Sequence, residues 1–466
     1  MLPCLYQNYE HVFREEYKGG FDVVIGNPPW GAVLDSSSKV KLAKTYPIIP
    51  AKLKDSYLYF MLMTFKIIKQ NSFYGLIIPN TWLLINNADK FRKEILSYDV
   101  KEIIDYGDGV FEDAIVESSS LILKSAYSIN DYVFVKKFRK GKEIISQALN
   151  KNIWLEDSLV RIQVELKESA HSIITKMKMV SEPFEKTSEI IFGIKPYQVN
   201  HGTPAQTQEI INNRVYHARA QYDESWKPLI TGVHVSRYCL DEVITEYIKY
   251  GKWLMYSSDE KKILQSKILL RRTSDNLKAV LDESKLYPQN SIFIITSKID
   301  LRFLLLLLNS KLFDFIYKAK CPQVGKVFAE VKPSIIKELP ISKKTLDNNV
   351  LQKADIMFVL NKGLNLISQQ FQRTIERKFE LTELPKKLQH WYLLSYADFI
   401  KELAKKKVKL SLAEEAEWET YFLAESKKAL ELKNKIETTD KEIDQMVYNL
   451  YNLTPEEIKI VEGEND

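Results

Sequence analysis

Apolar and polar positions follow two periods in the first 126 residues. Residues 21–26 (FDVVIG) form an apolar run interrupted only by Asp22 and ending in glycine. Such a run predicts a strand buried on both faces, as in a parallel sheet. It passes directly into Asn27-Pro28-Pro29-Trp30. Neither proline can extend a hydrogen-bonded ladder, so the chain must leave the sheet at this point. After a polar loop to about residue 54, Asp55 or Ser56 can cap a helix running to about residue 70. Residues 74–78 predict a second buried strand, stopped by Pro79, and residues 88–98 a second amphipathic helix. Two short strands follow over 101–106 and 119–124. Strand, helix, strand, helix, strand is the rhythm of an open α/β sheet, here with only three parallel-type strands.

Later in the chain the pattern changes twice. Residues 127–189 are mixed and lysine-rich and read as a connecting region. From 190 to 342, short segments broken by Gly, Pro and Asn read as strands and loops, with one well-buried helix over 300–315. From 343 to 466, Lys, Glu, Leu and Ala dominate and predict helices. Thr439 with Glu442, and Thr454-Pro455 with Glu457, have the spacing of capping boxes. The sequence holds no internal repeat.

Composition narrows the class. With 45% hydrophobic and 27% charged residues the chain can build real cores, which excludes global disorder. Net charge is only +6, but residues 190–340 hold 22 Lys and Arg against 15 Asp and Glu. A basic middle between near-neutral ends fits a local anionic partner, or ordinary fluctuation over a long segment. Cys4, Cys239 and Cys321 are far apart and form no metal-type cluster, so no metal site is expected. Few cysteines, no cationic-then-apolar leader, and no apolar run longer than the one around 303–308 fit a cytoplasmic protein without a membrane span.

The chemistry concentrates in Asn27-Pro28-Pro29-Trp30. In open α/β sheets, reactive sites lie outside the carboxyl ends of the strands. An adenine amino group is a poor nucleophile because its lone pair is delocalised into the ring. Two acceptors at its two hydrogens draw the nitrogen towards a tetrahedral form. The side-chain oxygen of Asn27 and the backbone carbonyl of Pro28, held rigid by Pro29, can be those acceptors. Catalysis would then come from positioning and preorganised dipoles, without a strong base. The base must leave the duplex to reach such a loop, and Trp30 offers a face for stacking, worth roughly 1–3 kcal/mol. The bland alternative is that Pro-Pro breaks the strand and Trp30 caps a core.

With its context, FDVVIGNPPWG resembles the motif of gamma-class amino-adenine DNA methyltransferases, especially those within type IIG restriction–modification enzymes. DSYLYFMLMTFKIIKQ with YGLIIPNTWLL, and EIIDYGDGVFEDAIVESSSLILK, are similar to that family's next helix and strand and its final strand pair. The resemblance implies an α/β fold: a partial methyltransferase-type (Rossmann-like) sheet over 1–126, a mixed α/β target-recognition domain over 190–342, and a helical C-terminal region over 343–466. It implies that Phe111 covers the other face of a flipped adenine, unless Phe111 is simply a core residue at a hairpin. It implies S-adenosylmethionine as cofactor, with Asp22 and Tyr57 the candidates here for touching it. Duplex DNA is the implied partner. Lys252, Trp253, Arg271 and Arg272, then Arg237, Lys320 and Lys326, are its candidate contacts, as phosphate-facing or solvated charges more than as base readers.

The departure from the family is large. Its glycine-rich turn and second-strand acidic residue should precede the Asn-Pro-Pro-Trp motif, where only 26 residues stand. Gly107-Asp108-Gly109 reads as a turn in the last strand pair. The expectation is therefore a chain lacking the cofactor-binding half, and a protein partner that supplies it. A shortened product and a non-catalytic DNA-binding specificity subunit are the alternatives.

Overall fold

A computed structural model describes all residues except 1–19, 32–33, 51–52, 54, 108–115, 322–328, 345–346 and 465–466. The chain divides into two compact units, residues 1–171 and 172–466. Each mixes helices and sheets.

The first unit is built on a six-stranded sheet in the order β1-β2-β4-β3-β5-β6. Its strands are β1 (Phe21–Gly26), β2 (Ile68–Pro79), β3 (Tyr98–Gly107), β4 (Ser118–Tyr127), β5 (Tyr132–Arg139) and β6 (Lys142–Asn150). β1 pairs parallel to β2, and β3 parallel to β5. β4 lies antiparallel between β2 and β3, so β1, β2, β3 and β5 share one direction. The expected strands and helices of this unit form close to their predicted places. The sheet continues past residue 126, since β5 and β6 extend it to residue 150. Few of their side chains are fully buried, Val133 and Val135 in β5 and Leu149 in β6, so little apolar pattern marked them.

Helices α1 (Ser36–Thr45), α2 (Ser56–Ile67) and α3 (Asp89–Ser97) complete this unit. α2 packs on β2 and α3 on β3. α2 is apolar nearly all round and buries Tyr57, Leu58, Met61 and Leu62. One sheet face carries Tyr74, Leu76, Ile103, Leu121, Leu123 and Val135, all buried. Each such aliphatic side chain contributes about 1.5–3 kcal/mol by leaving water.

The opposite face is different. Cross-strand partners share a face, so the pairs Val23–Phe73, Ile25–Gly75, Gly75–Ile122, Ile122–Glu102 and Glu102–Phe134 trace it. Val23 is 55% exposed and Ile25 83% exposed, and Phe73 and Phe134 are exposed as well. This corrects the expectation that residues 21–26 are buried on both faces. An apolar sequence shows that a strand can be covered on two sides; it does not bring the cover.

The second unit holds two four-stranded sheets. One runs in the order Ala279–Asp282, Lys267–Arg271, Ile292–Ser297, Ser188–Phe192, with every pairing antiparallel. The other runs Tyr287–Pro288, Trp226–Ile230, Glu246–Lys249, His217–Ala218. Leu229, Ile248, Leu269, Val280 and Ile294 from both sheets join one core. The helix expected over 300–315 is two helices, Leu301–Asn309 and Lys311–Lys320. Ser310 separates them and caps the second through the amide of Phe313. Long helices Asn348–Lys378 and Leu412–Leu450 follow and enclose a second core around Phe371, Trp391, Phe399 and Phe422.

Thr454 and Glu457 form the expected capping box. Thr439 does not. It lies inside the helix Leu412–Leu450, and its hydroxyl donates to the Lys435 carbonyl at 2.8 Å. That helix starts instead at a box made by Ser411 and Glu414. A threonine and a glutamate three apart also share a face in mid-helix, so the spacing is ambiguous without a start signal.

Candidate functional site

The carboxyl ends of β1, β2 and β3 lie at the same edge of the sheet because these strands run the same way, with the start of β4 between β2 and β3. At the end of β1 stands the loop Asn27-Pro28-Pro29-Trp30. Asn27 is exposed, Pro28 buried, Pro29 exposed and Trp30 half-buried. The Ser56 hydroxyl, at the start of α2, donates to the Pro29 carbonyl at 2.7 Å. Tyr57 and Thr81 hydroxyls are 2.8 Å apart, which ties the same helix start to the turn after β2.

That turn is the short helix Asn80–Leu83. Asn80 Nδ2 donates to Asp105 Oδ1 at the end of β3 and to Glu117 Oε2 just before β4, both at 3.0 Å. Its backbone amide donates to the Glu117 carbonyl at 3.0 Å. Asp105 is buried; its second oxygen faces Lys137 Nζ at 3.4 Å, and Lys137 also pairs with Glu165. Burial alone would lower the Lys137 pKa, but the Glu165 and Asp105 carboxylates outweigh it and raise it. Gly107, closing β3, adopts a left-handed conformation (φ +66°) that suits glycine, and the other two residues of the expected turn, Asp108 and Gly109, lie outside the described residues. Sequence reasoning missed Ser56, Asn80, Asp105, Glu117 and Lys137. The Pro79-Asn80 step at a strand end was the one signal that could have pointed to Asn80.

Of the cofactor candidates, Asp22 is exposed and paired with Lys69 at 2.9 Å. Tyr57 is 1% exposed, and burial pushes its hydroxyl pKa up to about 12. Phe111 and Lys326 lie outside the described residues.

The remaining basic candidates divide in two. Arg237 reaches both oxygens of Asp440 at 2.8–2.9 Å and the Asn309 carbonyl at 2.6 Å. Arg272 spans both oxygens of Glu330 at 3.1 Å and lies over the Phe192 ring. Lys320 is buried against Glu338 at 2.9 Å. These three hold the second unit together. Lys252 is exposed, and Arg271 donates only to the Thr273 carbonyl, so neither has a carboxylate partner among the described residues. Trp253 is half-buried; its indole N–H donates to the Lys249 carbonyl, and the Lys249 ammonium stands 5.6 Å from its ring centre. Tyr216 lies beside that ring at 6.3 Å. The Tyr216 amide donates to Tyr197 Oη, which lies 2.9 Å from His217 Nδ1 in a second hydrogen bond. Burial, and Arg214 nearby, pull the His217 pKa down to about 4.

Residues 5–111 match the model of the Eco57I restriction-modification methylase, and residues 227–341 that of the TaqI-like C-terminal specificity domain. This chain is similar to restriction–modification methyltransferases. Residues 343–447 match a domain of unknown function. A curated relative from Methanocaldococcus jannaschii bears the name of a type II restriction enzyme and methyltransferase. It is 24% identical over 384 residues, covering 76% of this chain and 30% of the relative. A type II methyltransferase of Vibrio sp., M.VspI, is 26% identical over 127 residues, covering 27% of this chain and 30% of the relative. The chain thus spans under a third of the length of these relatives. Among solved structures, the type IIL restriction-modification enzyme MmeI in complex with DNA is 10% identical with a TM-score of 0.47, over 92% of this chain and 59% of that one. No helix among the described residues is long and apolar enough to cross a membrane.

Proposed function

We propose that this chain is the catalytic-loop and target-recognition part of a site-specific DNA methyltransferase, acting on the adenine amino group within a type IIG restriction–modification system. The observation that carries the reading is the Asn27–Trp30 loop at the carboxyl end of β1, inside the methylase-type segment. Asn27 and the Pro28 carbonyl accept the two amino hydrogens of a flipped adenine. Trp30 stacks on the base, and Phe111 covers its other face. Lys252, Arg271 and Trp253 meet the duplex, in the segment similar to a specificity domain.

S-adenosylmethionine would supply the methyl group. The two candidates for holding it do not fit that task, because Asp22 is paired with Lys69 and Tyr57 is enclosed against Thr81. The reading therefore places the cofactor pocket on a further segment, carried by a partner or by more of the same protein. The open apolar sheet face around Val23 and Ile25 supports such a cover. The misfit of Asp22 and Tyr57 also favours a second reading, a non-catalytic specificity subunit.

Transfer of labelled methyl groups from S-adenosylmethionine to mixed-sequence duplex DNA tests both, using the full chain with and without a cofactor-binding segment from a relative. Incorporation that vanishes in Asn27→Ala, with DNA affinity kept, is the expected result. Undiminished transfer by Asn27→Ala would sink the reading. DNA binding with no transfer under either condition selects the specificity subunit, and equal binding to single-stranded RNA removes duplex DNA as the substrate.

A further inference from the structure

We propose that Ser56 is a positioning residue for the Asn27–Trp30 loop, an inference that rests on the reading of that loop given above. The Ser56 hydroxyl donates to the Pro29 carbonyl at 2.7 Å. Two soft dihedrals normally set the path of a residue. At Pro29 the ring fixes φ, and a hydrogen bond to its carbonyl oxygen fixes ψ. The peptide plane that presents the Pro28 carbonyl is attached to this doubly restrained residue. An acceptor that must meet one hydrogen of a base amino group is useful only if its direction is settled beforehand. Proline alone settles half of it.

The donor is itself held. Ser56 is 2% exposed. It is the first residue of α2, whose N-cap is Asp55. The next residue, Tyr57, is 1% exposed and its hydroxyl meets that of Thr81 at 2.8 Å. The start of α2 is therefore pinned to the end of β2 on one side and grips the loop after β1 on the other. Ser56 need not touch the base; it acts through Pro29.

The test combines two readouts on the full chain. Pro29–Trp30 is the only Pro–Trp peptide in the sequence. Carbonyl-13C proline with 15N tryptophan therefore gives a single amide–carbonyl correlation, which reports the Pro29 carbonyl directly. In Ser56→Ala this resonance should move, and in Ser56→Thr, which keeps the hydroxyl, it should return towards the parent. In methyl transfer with the cofactor-binding segment added, Ser56→Ala should lower kcat by roughly three- to tenfold, the worth of one uncharged hydrogen bond. KM for DNA should stay unchanged, and Ser56→Thr should restore the rate. Thermal unfolding of each variant guards against a loss of folded protein. An unmoved carbonyl resonance in folded Ser56→Ala overturns the assignment, as does a parental kcat. The Asn27→Ala control separates the failures. If Asn27→Ala transfers methyl groups normally, the reading of the loop is wrong. If Asn27→Ala is silent and Ser56→Ala is unaffected, only the role of Ser56 falls.

Discussion

Replacing Arg92 by Met should loosen the turn that carries Asn80 and Thr81. The Arg92 side chain is 0% exposed on α3. Its Nε donates to the Val160 carbonyl at 2.8 Å, Nη1 to that of Trp82 at 2.8 Å, and Nη2 to that of Leu159 at 2.7 Å. Trp82 lies in the turn Asn80–Leu83, two residues after Asn80. Methionine fills similar space but donates nothing, so two enclosed carbonyls and one half-buried carbonyl lose their partner. Each stranded acceptor costs about 1–3 kcal/mol, which sums to about 3 kcal/mol at the low end. Against this, the variant no longer desolvates a charge; burial already pulls the guanidinium pKa down to about 10, though it stays charged at neutral pH. The net loss should be about 2–3 kcal/mol. Arg92→Lys should fall between, because an ammonium cannot span three carbonyls as a planar fork does. Hydrogen exchange gives a local readout at the Ile162 amide, which donates to the Leu83 carbonyl at 2.8 Å. Its protection should drop by about 2 kcal/mol in Arg92→Met. A change below about 0.5 kcal/mol, the usual range of neutral surface substitutions, would refute the reasoning.

Four further outcomes follow from the same geometry. Lys267 and Asp282 form an ion pair with both side chains fully enclosed; Lys267→Met should destabilise the second unit by about 3–5 kcal/mol in urea unfolding, and Lys267→Met with Asp282→Leu should recover most of it. His217 titrates lower in the fold, about 4, than unfolded. The unfolded chain therefore binds more protons between about pH 4 and 6.5, so the His217 contribution is full above pH 6.5 and is lost as pH falls towards 4. His217→Gln should flatten that part of the stability–pH curve. Lys252→Ala and Arg271→Ala should each reduce the slope of log affinity for DNA against log salt by about 1, and an unchanged slope would show that neither meets phosphate. Ile25→Lys should leave the stability of this chain within about 0.5 kcal/mol, since the side chain is 83% exposed, yet weaken docking of a cofactor-binding segment in a pull-down.

Much of the first unit was legible because β1 and β2 hold apolar runs stopped by proline, and because Asn27-Pro28-Pro29-Trp30 couples a strand end to distinctive chemistry. β5 and β6 were not, since YVFVKKFR and KEIISQALN carry adjacent charges (Lys136 with Lys137, Lys142 with Glu143) that break the apolar alternation of half-covered strands. The brace of the loop was illegible for another reason. A serine 27 residues beyond Pro29 gives no local sign of whose carbonyl it will meet. Distance in sequence also hid the fate of the basic residues. Arg237 looks like a free cation until the fold brings Asp440 to it from 203 residues away, and Arg272 until it meets Glu330. A charge count sees the cation and cannot see its partner, so arginines in structural pairs and arginines open to an anion read alike.

The two faces of the first unit's chemistry differ in what they still require. At the carboxyl ends of the strands, polar groups satisfy one another within this chain: Ser56 on Pro29, Tyr57 with Thr81, and Asn80 between Asp105 and Glu117. Such a network is strong only when its members are paired, because a stranded buried polar group costs more than a made bond returns. The path of the loop after β1 therefore rests on contacts already present. The apolar face around Val23 and Ile25 has no such closure among the described residues and stays exposed. Covering it gains free energy through area, with little demand on direction. An added segment can thus supply cover, and with it a cofactor pocket, without having to build the loop that receives the base. Loop geometry and cofactor supply become separable requirements, and variants of Ser56 and of Ile25 should fail in different assays.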